Sequence, residues 1–599
     1  MHRCLVVREL LTSIFEFHDR KRELSVLART CRAFADPALD ILWRELACLS
    51  TLIKATVPSH LWEDVSPRGL SEIVTLFFRG PPAPSDLNRF AYYASRVRSL
   101  GTNEAGREGA GEKIDPSVFH YLHEYQPTSP ILPRLRHLVW NILNPNALSS
   151  VDHFLGPNIL YLQLSVFAHH SQQDIMFTFD RIQHKCVNLE EIHMADRTKS
   201  PVIAEARSRF MGSLANLRVL SLTLGCRTLG YRAMIHFSNL QLLEKLTLTI
   251  RALSPTTVKD ANWHQTYAIP ETPFPRLQVL SIETAAMDFC FALLSLVQES
   301  PLQTMHLDYD PYDVMPTPDY PADGPALGDR AFKRLRFLDV SVPELAGCIA
   351  LFRPLHLTAL EKLDVRIAVP AEDDLERFVV VCSQCCSPST LTFLRLSQRS
   401  AFVGNLCHPS GVILPILPFS RLTDLIMLPG GHVEVDDSLA DDMASAWPEL
   451  ECIAIGASDH TKGRGRITLG GLVPFARHCR KLRCVRLAID LHGALPQLPS
   501  LTVELDGLGN PSVRELWFGL CPMPPDKVEE VAKFLKSLFP MLELLHAYHS
   551  GGCGQRSRAL GGSDEVVPTV IWVWAFRELS SIAPSLTVQL RRRDVDLEI

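Results

Sequence analysis

Five cysteine and histidine side chains are the strongest candidates for metal chemistry in this sequence. Cys382, Cys385 and Cys386 form a short cluster, and Cys407 and His408 follow after an intervening stretch. Thiolates and imidazoles with such spacing can supply four ligands to zinc. The upstream cysteines, however, end a helix-like stretch, and the two groups flank a strand-like stretch. We therefore expect buried free thiols and no metal, and stoichiometric zinc in the purified protein would overturn this expectation.

No familiar catalytic motif occurs elsewhere in the chain. The sequence contains no Gly-x-x-x-x-Gly-Lys-Ser/Thr phosphate loop, no His-Glu-x-x-His pair and no Gly-x-Ser-x-Gly elbow. We therefore predict a protein that is not an enzyme and that has no cofactor. An enzyme that uses the cysteine cluster is the third hypothesis, and turnover that is lost in Cys382→Ser or Cys385→Ser would revive it.

The composition is typical of a folded soluble protein. Its 599 residues are 46% hydrophobic and 21% charged, which is too apolar for a mainly disordered chain. The net charge of -6 gives no broad basic field, so we expect no nucleic-acid partner. No stretch approaches the ~20 apolar residues that span a bilayer, and charges interrupt the N-terminal segment where a secretory signal would lie. We predict an intracellular protein, cytoplasmic or nuclear, without membrane contact.

A short apolar signature recurs along most of the chain. It reads Leu-x-x-Leu-x-Leu or a conservative variant, and its copies are roughly 24 to 34 residues apart, near the leucine-rich-repeat period. The copies span residues 135–140, 159–164, 189–194, 217–222, 243–248, 277–282, 302–307, 335–340, 360–365, 391–396, 422–427, 450–455, 482–487, 513–518 and 542–547. The last two apolar residues alternate, as on a strand with one buried face. One copy cannot bury that face alone, so we expect the copies to stack.

Helix-like stretches lie between several of these strands. They span residues 288–299, 371–382, 469–480 and 526–539. Strand and helix in alternation predict an α/β fold, a solenoid with parallel strands on its concave face and helices on its convex face.

Three apolar stripes with helical spacing occupy residues 1–50. They consist of Leu10, Leu11, Ile14 and Phe15; of Leu24, Leu27, Ala28 and Cys31; and of Leu39, Leu42, Trp43 and Leu46. Asp36 and Pro37 predict the start of the third helix, because aspartate caps free N–H groups and proline fits the first helical position. A module this small is near the lower size limit for independent stability, so an apolar face should be left for a neighbour or a partner.

The N-terminal module resembles the F-box family, especially its fungal members. Residues 24–34 match the family's "la..cr.f" helix, and residues 37–43 match its closing "P.L...LW" element. The sequence departs from the family at Val7–Arg8, where many members have Leu-Pro or Ile-Pro. Residues 471–482 are similar to the helix-to-strand step of repeats in F-box leucine-rich-repeat proteins.

The resemblance implies docking onto the Skp adaptor of a Skp/cullin/F-box ubiquitin ligase. The implied adaptor-binding surface includes Leu24, Leu27, Phe34, Pro37, Leu42 and Trp43. The repeat face would then bind a protein target and hold its lysines near ubiquitin that a separate enzyme carries. Catalysis of this kind is proximity, so no nucleophile is expected in this chain.

These interpretations divide the chain into four parts. They are an F-box-like helical module at 1–50, a helical or linker region at 51–132, irregular leucine-rich repeats at 133–550, and a Gly-rich loop with a C-terminal cap at 551–599. The alternative is a repeat scaffold that binds proteins outside any ubiquitin ligase, in which the N-terminal helices only cap the array.

Overall fold

The chain divides into two units, Met1–Leu277 and Gln278–Ile599, each built around parallel strands. The computed structural model describes residues 7–18, 20–65, 74–101, 112–125, 130–140, 148–198, 200–224, 231–250, 270–284, 287–309, 327, 331–369, 371, 374–399, 406–456, 467–491, 509–518, 527–548 and 587–591. The Gly-rich loop that we expected at 551–565 lies outside the described residues.

Helices alternate with strands in the first unit. Its described helices are α1 (Arg8–Glu16), α2 (Lys21–Thr30), α3 (Arg32–Leu42), α4 (Leu49–Thr56), α5 (Pro84–Ala94), α6 (Pro116–Tyr125), α7 (Gln172–Lys185), α8 (Pro201–Gly212) and α9 (Tyr231–Ser238), with 3-10 turns at Ser59–Leu61 and Ser149–His153. Its described strands are β1 (Glu45–Leu46), β2 (Trp62–Val65), β3 (Val74–Phe78), β4 (Ser99–Leu100), β5 (Glu112–Ile114), β6 (His137–Trp140), β7 (Tyr161–Val166), β8 (Glu191–Asp196), β9 (Val219–Leu224) and β10 (Lys245–Ile250).

One parallel sheet runs through the first unit. Its strands pair in the order β1, β4, β6, β7, β8, β9 and β10. A smaller sheet pairs β2 with β3 antiparallel and β3 with β5 parallel. The helices α7, α8 and α9 pack side by side in chain order. The parallel pairing therefore begins at β1 and β4, upstream of the first copy of the apolar signature.

The second unit repeats the alternation. Its described helices are Met287–Val297, Leu345–Phe352, Asp374–Cys385, Asp437–Ala446, Leu472–His478 and Val528–Leu538, with 3-10 turns at Ser410–Val412, Leu414–Ile416 and Leu469–Gly471. Its described strands are β11 (Val279–Thr284), β12 (Thr304–Tyr309), β13 (Phe337–Val342), β14 (Lys362–Ile367), β15 (Phe393–Gln398), β16 (Cys407–His408), β17 (Asp424–Leu428), β18 (His432–Val433), β19 (Cys452–Ile455), β20 (Ile467–Thr468), β21 (Cys484–Arg486), β22 (Ile489–Asp490), β23 (Glu515–Trp517), β24 (Leu544–Tyr548) and β25 (Thr587–Arg591).

The main sheet of the second unit is also parallel. Its strands pair in the order β11, β12, β13, β14, β15, β17, β19, β21, β23, β24 and β25. Two short parallel pairs, β16 with β18 and β20 with β22, form beside it. The predicted α/β class and the predicted parallel strands are confirmed, and each copy of the apolar signature includes a strand.

The leucines of the signature form continuous rows across neighbouring strands. In the second unit Leu338, Leu363 and Leu394 are register partners on β13, β14 and β15, and all three are buried. Residues between them on each strand point to the opposite face, because successive side chains on a strand alternate. Each sheet therefore has one face of packed aliphatic side chains and one partly exposed face, which we call its open face.

Asparagines connect consecutive copies in the first unit. The Nδ2 groups of Asn158, Asn188 and Asn216 donate to the carbonyl oxygens of Pro133, Pro157 and Val187, each at 2.9 Å. Each asparagine stands directly before the first apolar residue of its signature. A carbonyl near the surface between copies thus gains a donor within the protein, which a leucine pattern alone does not supply.

The three N-terminal helices share one small core, to which the first two apolar stripes contribute as predicted. Leu11, Phe15, Leu24 and Ala38 are buried in it. The third stripe is wrong, because α3 ends at Leu42 and Leu46 lies on β1. The predicted start of the third helix is wrong, because α3 begins at Arg32 and contains Pro37. The Phe34 and Ala35 N–H groups donate to the Cys31 carbonyl instead, and the Asp36 carboxylate binds Arg96 rather than capping the helix.

Candidate partner-binding surfaces

An apolar stripe remains exposed on α1. Val7, Leu10, Ile14 and Phe17 have exposed fractions of 43%, 46%, 44% and 87%. Their spacing places them on one side of the helix, beside the side that carries the buried Leu11 and Phe15. We call these four residues the α1 stripe. Val26 on α2 is exposed as well, so the module shows more apolar surface than its own core can cover.

The six residues expected to bind an adaptor occupy different depths in the module. Leu24 and Pro37 are buried. Leu27, Phe34 and Leu42 are partly buried against the same core, where the rings of Phe15 and Phe34 meet edge to face at 5.3 Å. Trp43 is half-buried, and its ring lies 5.1 Å from the ring of Tyr93. Leu24 and Pro37 therefore support the module from inside, and the assignment of this set to an adaptor surface stays a prediction.

The apolar pattern of the sequence also indicated the α1 stripe, which the six predicted adaptor-binding residues do not include. Leu10 and Ile14 belong to the first apolar stripe together with Leu11 and Phe15, so α1 is apolar over two adjacent sides. Because one helix side suffices for a three-helix core, the second side was the better candidate for a partner. Phe17 extends that second side by one turn.

Arg96 anchors the module to the rest of the first unit. Its guanidinium, with a side chain only 9% exposed, pairs with Asp36 at 2.6 Å and also with Asp40, both on α3. It donates to the Tyr92 hydroxyl at 2.7 Å as well. The hydrogen bond from Arg96 lowers the pKa of Asp36, although burial opposes this. Charge pairing and packing thus fix α3 beside α5.

The open face of the first sheet carries aromatic and imidazole rings. Tyr161 lies between His137 and His193, at ring separations of 5.9 Å and 5.2 Å. Burial and the nearby Glu191 raise the pKa of the Tyr161 hydroxyl, which donates to Gln163 at 3.1 Å. This face offers flat rings, polar groups and the Glu191 carboxylate, which lies 2.6 Å from His193, to a ligand or a partner.

The open face of the second sheet carries charges of both signs. Arg366 pairs with both carboxylate oxygens of Asp339 at 2.6 Å, and His306 approaches the same carboxylate at 3.3 Å. Burial alone would raise the pKa of Asp339, but the hydrogen bonds from His306 and Arg366 outweigh burial and lower it. At neighbouring Asp364 burial dominates over the attraction of Arg395 and raises the pKa.

Aromatic rings interleave with these charges. Phe337, Lys362 and Phe393 are register partners on three successive strands. The Lys362 ammonium lies 5.7 Å from the Phe337 ring centroid and 5.9 Å from that of Phe393. Alternating charge with exposed aromatic area is the composition of protein-binding surfaces, where complementary charge fixes orientation and aromatics contribute contact area.

The cysteine and histidine candidates do not form a site together. Cys382, Cys385 and Cys386 are buried at the end of their helix, which confirms that part of the expectation, and the last two sulfurs are 3.6 Å apart. Cys407 is exposed on β16, whereas His408 is buried, and burial lowers the pKa of its imidazole to about 4. Across the described ranges no group of three or more potential ligands could hold a metal ion.

Comparisons with known proteins give no family for this chain. No protein-family model matches it, and no curated protein is significantly similar to it. Within the described residues, none of the helices combines the length and the apolar character that crossing a bilayer requires.

Proposed function

We propose that this protein is a non-catalytic substrate receptor of a Skp/cullin/F-box ubiquitin ligase. The N-terminal module would dock on the Skp adaptor as an F-box. The parallel strands would be irregular leucine-rich repeats whose open faces bind a protein target. The lysines of that target would then be held near ubiquitin on another subunit. This requires positioning and no nucleophile in this chain.

The observation that carries the proposal is the α1 stripe. Fully burying one aliphatic or aromatic side chain contributes about 1.5–3 kcal/mol. Four such side chains, each at least 43% exposed, therefore leave several favourable burials to a partner. The buried Leu24 and Pro37 fit the same proposal as supports that hold α1 and α3 in place.

The open faces support the second half of the proposal. Both carry polar and aromatic side chains in register, and the second one carries the ion pair of Asp339 with Arg366. A protein target with complementary charge would find there both orientation and contact area. Unlike the α1 stripe, these faces are polar enough to remain exposed without a partner.

A pull-down against the Skp adaptor tests the proposal. Full-length protein should bind, and a chain lacking residues 1–42 should not. That boundary keeps β1, which pairs with β4 in the sheet, so the shortened chain retains every strand that the structure describes. Absence of binding by the full-length chain, with native circular dichroism, would refute the ligase role.

The anchoring of the module favours the scaffold alternative as a second candidate. Arg96 ties α3 to the following repeats, as a terminal cap would be tied. If the helices serve only as a cap, removing residues 1–42 should lower the urea midpoint of the sheets without the loss of any partner. If they are an F-box, the partner is lost and the sheets keep most of their stability.

A further inference from the structure

Two cysteines stand side by side on the open face of the second sheet. Cys452 begins β19 and Cys484 begins β21, and the two are register partners on adjacent parallel strands. Ile453 and Val485, which follow them, are buried on the opposite face, so both thiols point the same way. Adjacent strands lie about 4.8 Å apart, within the roughly 4.4–6.8 Å between Cα atoms that disulfides span.

The two thiols also affect each other. The hydrogen bond between them lowers the pKa of Cys452, against the effect of burial, and raises the pKa of Cys484. The carboxylates of Asp424 and Glu515 on the flanking strands disfavour the Cys452 thiolate. Arg486, whose guanidinium lies 5.0 Å from the Trp517 ring centroid, favours the thiolate at both cysteines. Because the thiolate is the nucleophile, Cys452 is suited to attack and Cys484 to respond.

Other described cysteines lack this combination of partial exposure and a thiol neighbour. Cys385 and Cys386 are neighbours, but both are buried. Cys407 is exposed, but its sulfur faces Glu434 at 3.6 Å rather than another thiol.

We propose that Cys452 and Cys484 form an oxidation site at which hydroperoxides such as hydrogen peroxide join the two thiols in a disulfide between β19 and β21. The Cys452 thiolate attacks one peroxide oxygen, the S–O bond forms, the O–O bond breaks, and the departing oxygen takes a proton and leaves as water or an alcohol. Cys484 then attacks the sulfenic sulfur through its own sulfur. The S–S bond forms, and hydroxide leaves as water with the Cys484 proton.

Two electrons pass from the thiols to the peroxide, so the reaction balances without a further reactant. The bridge would covalently join two strands of the face that we assign to target binding, but its formation does not depend on the adaptor role. Because both cysteines are partly exposed, a thiol reductant can reach such a cross-strand disulfide, so the reaction should be reversible.

Peptide mapping of the full-length protein tests the site. After limited hydrogen peroxide, free thiols are blocked with N-ethylmaleimide and the chain is cleaved with trypsin without reduction. Cleavage at Arg421, Lys462, Arg483 and Arg486 places Cys452 in peptide 422–462 and Cys484 in peptide 484–486. We expect these two peptides as the predominant disulfide, released by dithiothreitol. The proposal would be overturned if Cys452 and Cys484 were each found as the N-ethylmaleimide adduct in separate peptides while Cys407 was oxidised.

Serine variants separate the two roles. Cys484→Ser keeps a hydrogen-bond donor beside Cys452 but cannot close the bridge, so the sulfenic acid on Cys452 should accumulate and be trapped by dimedone. Cys452→Ser should lose both the bridge and the label on this pair. Cys407→Ser is the matched control and should leave the linked peptides unchanged. Equal dimedone labelling of Cys407 and Cys452 in Cys484→Ser would show that exposure alone governs reactivity, against the proposal.

Discussion

Leucines of the N-terminal helices and of the repeated strands meet opposite environments. Leu10 on α1 is 46% exposed, whereas Leu363 on β14 is 0% exposed between Leu338 and Leu394. Both belong to regular apolar patterns in the sequence. The difference is that each strand leucine lies beside leucines of the neighbouring strands, whereas no described element covers the second side of α1.

This contrast indicates where the chain completes its packing and where it leaves packing to a partner. In the sheets, residues that remain accessible are mostly polar or charged, such as Asp339 and Arg366, and they satisfy one another. On α1 the accessible residues include the four apolar members of the α1 stripe, beside charged residues such as Arg8 and Glu16 that have ion-pair partners. The helical module should therefore bind through burial, and the open faces should bind through charge and orientation.

The largest expected effect is a difference in the free energy of unfolding between alanine variants of Leu363 and Leu10. Leu363→Ala should lower the free energy of unfolding by about 2–5 kcal/mol, because it removes a buried side chain and leaves a cavity. Leu10→Ala should change it by less than about 0.5 kcal/mol, since its side chain is already half in water. Urea unfolding monitored by circular dichroism measures both changes in the free energy of unfolding. Similar losses would mean that α1 is covered in the folded protein.

Removing Arg96 should have the next largest effect. Arg96→Met leaves Asp36 and Asp40 without their shared cation and should cost about 1–3 kcal/mol, less than a fully buried pair because both carboxylates are partly exposed. Hydrogen exchange should speed up in α3 and stay unchanged in β14. The control is Arg79→Met, whose pair with Glu63 is exposed and should contribute little. Unchanged exchange in α3 would contradict the anchoring role.

A smaller effect is expected between the repeat copies. Asn188→Asp keeps the shape of the side chain but removes the donor to the Pro157 carbonyl, at a cost of about 1 kcal/mol. Asn188→Ala should cost a similar amount. Both are measured as shifts in the thermal midpoint. If neither variant shifts it, the asparagine contacts are incidental to stacking.

The smallest effect concerns pH and the second open face. The lowered pKa of Asp339 means that its ionised form stabilises the folded state above the ordinary carboxyl pKa near ~4, and this contribution is lost as the pH falls through the lower folded pKa. Asp339→Asn should therefore be less stable than the natural chain at neutral pH, with the difference vanishing in acid. Urea titrations at several pH values measure it, and a pH-independent difference would argue against the ion pair.

Most strands could be predicted from the sequence, because a buried strand face requires apolar residues at every second position and the signature supplies them. β1 and β4 escaped prediction because two-residue strands such as Glu45–Leu46 carry too short a pattern. The start of α3 was misjudged because Asp36 and Pro37 suit a helix start locally, whereas Asp36 is drawn to Arg96 by a contact far away in sequence.

The candidate surfaces were less predictable than the fold. Helical spacing alone shows that Leu10, Leu11, Ile14 and Phe15 share an apolar helix, but which side faces the core depends on how α2 and α3 pack against it. The thiol pair depends on strand register: Cys452 and Cys484 occupy the same position in consecutive signatures, and only the pairing of β19 with β21 brings them together.

The most direct test of the account is the affinity of the full-length chain for the Skp adaptor when Phe17, the most exposed residue of the α1 stripe, is changed. Phe17→Ser should weaken binding by about 2 kcal/mol, or about thirtyfold in Kd by isothermal calorimetry, with native circular dichroism. Phe177→Ser, at another exposed phenylalanine on α7 with an exposed fraction of 47%, should leave Kd unchanged. Tight binding that neither substitution affects would contradict docking through the α1 stripe, and absence of any binding would contradict the ligase role itself.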